Sequence, residues 1–280
     1  MKKLLLLIAL SGIIQIAQAQ TKSCCSAPEQ FASLSSDITF VNKHENPVPC
    51  TYISEMGVAV TVMCNDGTTA NGYALKATNP SNKFLFVFHE WWGLNDYIKQ
   101  TSEQLFKDLN SEVNIIAIDL YDGKVAAVRD SAKAYMSALS PERANVIIDG
   151  FLTHVGDSAQ IATIGWCMGG GYSMQASLQL QQQALGCVMY YGMPESNTER
   201  LKTLQADVLM IWPNQDKWIN KEVVDTFKAN MVSLDKKLFV EEYNADHAFA
   251  NPSNPKFDNE AATNANNKAL IFLKSKFGIN

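Results

Sequence analysis

The chain has 280 residues, 47% of them hydrophobic, and 23 Lys and Arg against 28 Asp and Glu give a net charge of -5. That is ample apolar material for one large packed domain, and it leaves no basic surface to grip a phosphate backbone, which argues against a nucleic-acid partner. No internal repeat or low-complexity linker divides the chain.

The first residues have the pattern of a secretory signal: Lys2 and Lys3, a largely apolar run from Leu4 to Ile16, then Ala17-Gln18-Ala19 as small residues around a cleavage site. The run is short of the ~20 residues that span a bilayer. The expectation is a signal peptide over residues 1–19, a mature chain from about Gln20, no membrane span after cleavage, and a periplasmic or secreted location. Cys24, Cys25, Cys50, Cys64, Cys167 and Cys187 would then meet conditions that allow disulfides. Cys50 with Cys64 is one possible pair, while Cys24 and Cys25 are able to bind metal or other thiols.

Residues 20–57 show no sustained periodicity, and Asn46, Pro47 and Pro49 break any helix that starts there. An irregular extension is expected. Val58 to Cys64, the turn Asn65-Asp66-Gly67 and Gly72 to Ala77 predict an antiparallel hairpin. Short apolar runs follow at Phe84–Phe88, Val113–Ile118, Ile161–Ile164, Cys187–Tyr191, Val208–Ile211 and Leu238–Val240. Segments with helical spacing lie between most of them: Tyr97–Leu109, Ala126–Leu139, Met168–Gln183, Glu222–Leu234 and Asn259–Phe277. Apolar strands alternating with helices predict an α/β domain over residues 58–280, with a mainly parallel sheet covered by helices on both faces.

The segment Ile161 to Gly171 runs from a strand into a glycine-rich turn and then a helix, with Gly165-Trp166-Cys167-Met168-Gly169 in the form G-x-C-x-G. This is the nucleophile-elbow pattern of α/β-hydrolases with cysteine in place of serine. The start of the following helix favours thiolate at Cys167. A nucleophile needs a base, and of His44, His89, His154 and His247 only His247 follows Cys167, as the chain order nucleophile, acid, histidine requires. Between them Asp216 comes directly after the run ending at Ile211 and is placed to orient the imidazole; Asp207 precedes its strand and Asp225 lies within a helix.

These positions and their flanks resemble the dienelactone hydrolase family from about Met63 to the carboxyl end. Phe86-Val-Phe-His-Glu90-Trp91-Trp92-Gly93, Asp119-Leu120-Tyr121 and Tyr190-Tyr191-Gly192 match further family patterns. The resemblance implies an α/β-hydrolase fold and a Cys167-His247-Asp216 triad acting through an acyl-enzyme thioester. It also implies that Glu90 pairs with the resting thiol, and that the backbone N–H groups of Trp91 and Met168 form the oxyanion hole. One departure bears on substrate: where the family holds a carboxylate with arginine four residues after the histidine, this chain has Asn251, a neutral amide without the charged fork. Arg129 lies in the region of the family's other arginine but not at its aligned place, whereas Tyr135 matches an aromatic there.

Trp92, Tyr135, Trp212 and Asn251 are candidates for a substrate pocket. The expected protein is a hydrolase of a small-molecule ester or lactone, a monomer or small homo-oligomer, with no metal or organic cofactor. Two alternatives are a broad esterase, acyltransferase or peptidase on the same triad, and a non-catalytic exported binding or thiol protein in which Cys167 pairs or holds metal.

Overall fold

The computed structural model of the chain describes residues 26–54 and 56–280; the expected signal peptide, Cys24 and Cys25 lie outside them. Eight strands form one sheet: β1 (Val58–Met63), β2 (Thr69–Leu75), β3 (Lys83–Phe88), β4 (Asn114–Ile118), β5 (Gln160–Trp166), β6 (Ala184–Tyr190), β7 (Asp207–Pro213) and β8 (Leu238–Tyr243). Their order is β1-β2-β4-β3-β5-β6-β7-β8. β1 with β2 and β2 with β4 pair antiparallel; all other pairs are parallel. Every residue of β5 after Gln160 is buried, so both faces of the central sheet are covered, as its continuous apolar run requires.

The sheet is flanked by α3 (Asp96–Asp108), α4 (Arg129–Ala138), α5 (Pro141–Val155), α6 (Met168–Leu180), α8 (Lys221–Ser233) and α9 (Asn259–Phe277), with a short α7 (Thr198–Lys202). Helix α5 is an addition to the expected segments. It starts at the Ser140 side chain, which caps Arg143 N–H, with Pro141 at the first helical position. Helix α6 is buried at every position but Gln179, which is why its sequence has no polar face. Among the described residues no helix is long and apolar enough to cross a membrane.

Two expectations are corrected. The extension over residues 20–57 is not irregular throughout, because α1 (Ala27–Ser33), a 3-10 turn (Leu34–Ser36) and α2 (Ile38–Lys43) occupy it. Ser26 and Glu29 form a capping box, and the Asp37 carboxylate caps Thr39 and Phe40. Helices of six and seven residues are too short to register in a periodicity window, and they persist here by burying Phe31, Phe40 and Val41. Pro47 and Pro49 do break the chain, but only after α2 has ended. The second correction concerns Cys50 and Cys64, which are free thiols. Cys50 sits by Gln100 of α3, whereas Cys64 packs under Gly150 of α5.

Candidate active site

Cys167 occupies the turn between β5 and α6 at φ 56° and ψ −120°, a conformation that costs an L-residue about 1–3 kcal/mol. Backbone bonds impose it. Cys167 N–H donates to Tyr190 O at 3.0 Å, and Cys167 O accepts from the N–H of Gly170 at 3.0 Å and of Gly171 at 3.3 Å. The glycines either side are required by close approach. A Cβ on Gly165 would stand 2.1 Å from Gly169 O, and one on Gly169 would stand 2.3 Å from the carbonyl oxygens of both Phe88 and His89. The G-x-C-x-G spacing therefore lets β5, α6 and the end of β3 converge beneath the thiol.

His247 and Asp216 arrive on the loops after β8 and β7. His247 Nε2 is 3.3 Å from Cys167 Sγ, and Nδ1 is 2.6 Å from Asp216 Oδ2. A carboxylate only accepts, so Nδ1 carries a hydrogen, and Nε2 faces the sulfur, placed to exchange a proton with it. The other Asp216 oxygen accepts the N–H groups of Trp218 at 2.9 Å and Ile219 at 3.0 Å, which fixes the carboxylate. Burial opposes charge on both groups, yet the interaction between them prevails: His247 is held well above the ordinary imidazole range and Asp216 below the usual carboxylate range. Burial pushes the Cys167 thiol up, against the pull of His247 and of the Met168 N–H.

Glu90 lies just past β3 with its carboxyl buried. Burial pushes its pKa up to about 7, with His247 and the Asn251 amide opposing the rise. Asn251 Oδ1 accepts the N–H and hydroxyl of Ser253, each at 2.7 Å, which orients its amide toward Glu90. Glu90 Oε2 has no hydrogen-bond partner. The pairing of Glu90 with the resting thiol that the resemblance implies is not the arrangement here, since the hydrogen-bonding neighbours of the sulfur are imidazoles. A cavity of about 160 Å³ opens beside Glu90 and Asn251, walled also by Asn95, Tyr97, Thr101 and Trp166, with no Lys or Arg in its lining.

The remaining pocket candidates stand away from that cavity. Trp212 is buried with its indole N–H on Ile219 O at 2.7 Å, and Trp92 packs edge-on against Trp91. Tyr135, on α4, faces Tyr121 with Lys124 over its ring, beside a separate small cavity. Met168 follows Cys167 directly as the first residue of α6. Trp91 heads the turn closed by Gly93 N–H on Glu90 O at 3.1 Å.

Sequence reasoning set His44 aside on chain order, yet its Nε2 lies 3.9 Å from Cys167 Sγ. The ring stacks on Trp91 at 4.8 Å and 20°. Phe40, one turn earlier, contacts His44, Trp91, Trp218 and His247 with ring centroids 4.4 to 5.7 Å apart. Helix α2 thus lies across the site, and Cys167 is wholly buried. Arg129 clamps this segment through His44 O at 2.9 Å and Asn42 Oδ1 at 3.0 Å, so its charge is engaged away from any substrate. The i, i+4 spacing of Phe40 and His44 behind the Asp37 cap was the available signal. Of the other histidines, His89 donates from Nδ1 to Glu90 O and accepts Leu120 N–H at Nε2, a structural role, and His154 is exposed on α5.

The buried Glu90 carboxyl makes stability depend on pH. Its native pKa of about 7 stands above the ~4.3 of an unfolded glutamate. The native state therefore holds the extra proton between these values, and stability is lost as pH rises through that window. Glu90→Gln is expected to gain about 2–3 kcal/mol relative to wild type between pH 5 and pH 8. Urea unfolding at both pH values measures this, and an equal difference at the two would contradict it.

The sheet order, the strained elbow and the buried Cys-His-Asp line define the class as an α/β-hydrolase. The dienelactone hydrolase family profile matches residues 70–277, and the chain belongs to that family, a family of hydrolases acting on esters or lactones. Among curated proteins it is similar to carboxymethylenebutenolidase 1 of Cupriavidus pinatubonensis, 23% identical and covering 76% of this chain and 95% of that one. It is also similar to the protein usf of Aquifex pyrophilus, 25% identical and covering 68% and 87%. Of solved structures, a dienelactone hydrolase-like promiscuous phosphotriesterase from metagenomic libraries superposes with a TM-score of 0.63 at 21% identity, covering 78% of this chain and 98% of that one. A bacterial brefeldin A esterase does so at 0.61 with 8% identity, covering 89% and 85%; at these identities the likeness is one of fold.

Proposed function

We propose that the protein hydrolyses small uncharged esters or lactones with Cys167 as nucleophile, His247 as proton carrier and Asp216 as the acid that orients it. The observation that carries this reading is the continuous contact from Sγ to Nε2 at 3.3 Å and from Nδ1 to Oδ2 at 2.6 Å, anchored at a strained elbow.

Cys167 Sγ attacks the carbonyl carbon as its proton passes to His247 Nε2, and the C=O electron pair moves to oxygen. The N–H groups of Met168 and Trp91 receive that oxyanion, each such donor being worth about 3–4 kcal/mol in the transition state. Collapse breaks the C–O bond, and His247 returns the proton to the leaving oxygen, giving a thioester on Cys167. Water, deprotonated by His247, then attacks the thioester; the acid leaves and the thiol regains its proton. Enol-type leaving groups depart more readily from a thiol-formed intermediate than plain alkoxides do.

A preference for uncharged substrates follows from the surroundings. Asn251 replaces a cation, Arg129 is bound to the extension, and the cavity beside Glu90 has no basic residue. A carboxylate there would face Glu90 without compensation. Comparing kcat/KM for p-nitrophenyl acetate and a neutral enol lactone with that for a carboxylate-bearing dienelactone tests it. The neutral compounds are expected to lead by at least about 10-fold, in line with ~1.4 kcal/mol for one unfavourable charge contact; preference for the carboxylate would overturn the assignment. An exported location, expected from the amino-terminal sequence, belongs to the same proposal, and cell fractionation checks it.

A further inference from the structure

Two imidazoles converge on one sulfur in this site, although a hydrolytic triad uses only one. His44 Nδ1 lies 2.9 Å from Phe40 O. A carbonyl only accepts, so Nδ1 carries the hydrogen and Nε2 keeps its lone pair. His247 is set the same way by Asp216. Both rings thus have Nδ1–H bound to an oxygen and Nε2 turned inward, the orientation that outer-shell oxygens impose on metal-binding histidines.

The distances suit a metal. Tetrahedral zinc at ~2.3 Å from sulfur and ~2.0–2.1 Å from nitrogen separates S from N by ~3.5 Å and N from N by ~3.3 Å. Here the two S···N separations are 3.3 and 3.9 Å, and all three ligand atoms lie within 4.8 Å of one another. The two imidazole nitrogens are the wider pair, within 4.8 Å, and bringing them to ~3.3 Å asks His44, carried at the end of α2, to move inward by up to about 1.5 Å.

We propose that Cys167, His44 and His247 form a binding site for one soft divalent cation of the zinc class. The thiol binds as thiolate and each imidazole through a deprotonated Nε2, the displaced protons, that of the thiol and any on His247 Nε2, go to solvent, and water completes the shell. No electron changes hands. Binding rests on the ligand geometry alone; the corollary that the bound ion silences the enzyme rests on the function proposed above. Occupancy holds the sulfur's electron pair and the Nε2 lone pair, so the ion acts as a reversible inhibitor. Helix α2 then does more than cover the site, because it delivers the third ligand.

Cobalt(II) titrated into the metal-free full chain reads the site without reference to hydrolysis. One equivalent is expected to bind, with a thiolate-to-cobalt charge-transfer band in the near ultraviolet and the intense visible bands of tetrahedral cobalt, and zinc should erase both. Cys167→Ser should lose the charge-transfer band. His44→Gln should weaken binding by at least about 100-fold, more than the loss of an outer-shell partner, whereas the exposed His154→Gln should not change it. Absence of the band in wild type, its persistence in Cys167→Ser, or unchanged affinity in a folded His44→Gln would each overturn the site. Zinc inhibition of ester hydrolysis, measured separately, addresses the corollary.

Discussion

Cys167→Ala is expected to lower kcat/KM for p-nitrophenyl acetate by about 10⁴–10⁶-fold, the scale on which a triad nucleophile acts together with its base. The fold should survive. Alanine keeps a Cβ in the same φ 56° turn, and the backbone bonds that impose the turn involve Tyr190, Gly170 and Gly171 rather than the side chain. What disappears is the atom that forms the proposed thioester, so an acetyl adduct on Cys167 is expected by mass spectrometry of the quenched wild type and not of the variant. A residual rate within about 10-fold of wild type would remove Cys167 from the chemistry and shift the assignment to another nucleophile.

Phe40→Ala is expected to expose the same sulfur. Phe40 is fully buried and contacts both imidazoles, and truncating such a phenylalanine costs about 3–5 kcal/mol. Because α2 is six residues long and belongs to the extension rather than to the sheet, that cost falls on the docking of the segment. Other ties of the segment include the Trp218 indole N–H on Asp37 at 2.9 Å, the Arg129 clamp and the Lys43–Asp246 ion pair. Lowering the opening free energy by this much raises the rate at which a thiol reagent reaches Cys167 by about 10²–10⁴-fold, until the segment is mostly open. Alkylation of Cys167 in the native protein, set against global unfolding by circular dichroism, measures it. Unchanged labelling would mean that reagents reach the sulfur by a route that does not displace α2.

How much of this was legible in the sequence depended on the range of the interactions. The six apolar runs and the hairpin were readable because each strand repeats one physical demand along consecutive residues. The elbow was readable because Gly165 and Gly169 answer steric limits within a single turn, and Asp216 and His247 because their loops follow such strands. The route by which residues 26–49 return over the carboxyl ends of the strands was not. It is set by scattered contacts such as Val48 N–H on Ser253 O and Arg129 N–H on Asn46, which leave no local periodicity. Chain order therefore dismissed His44, a rule valid for the triad and silent about a residue brought in by an extension. Trp212 and Trp92 do not line the cavity beside Glu90 for a related reason: aromatics near strand ends pack onto loops and onto one another as readily as they line cavities, and only their contacts tell the two apart.

Helix α2 is covalently joined to the domain it covers, so Phe40 and His44 act as a tethered occupant of the site, present at a fixed effective concentration however dilute the protein. If a substrate reaches Cys167 only by displacing α2, it binds only the open fraction, and its apparent dissociation constant is the intrinsic one divided by that fraction. Affinity and protection of the thiol thus become two readings of one equilibrium: each tenfold gain in shielding of Cys167 weakens apparent substrate binding tenfold, and adding more protein alters neither.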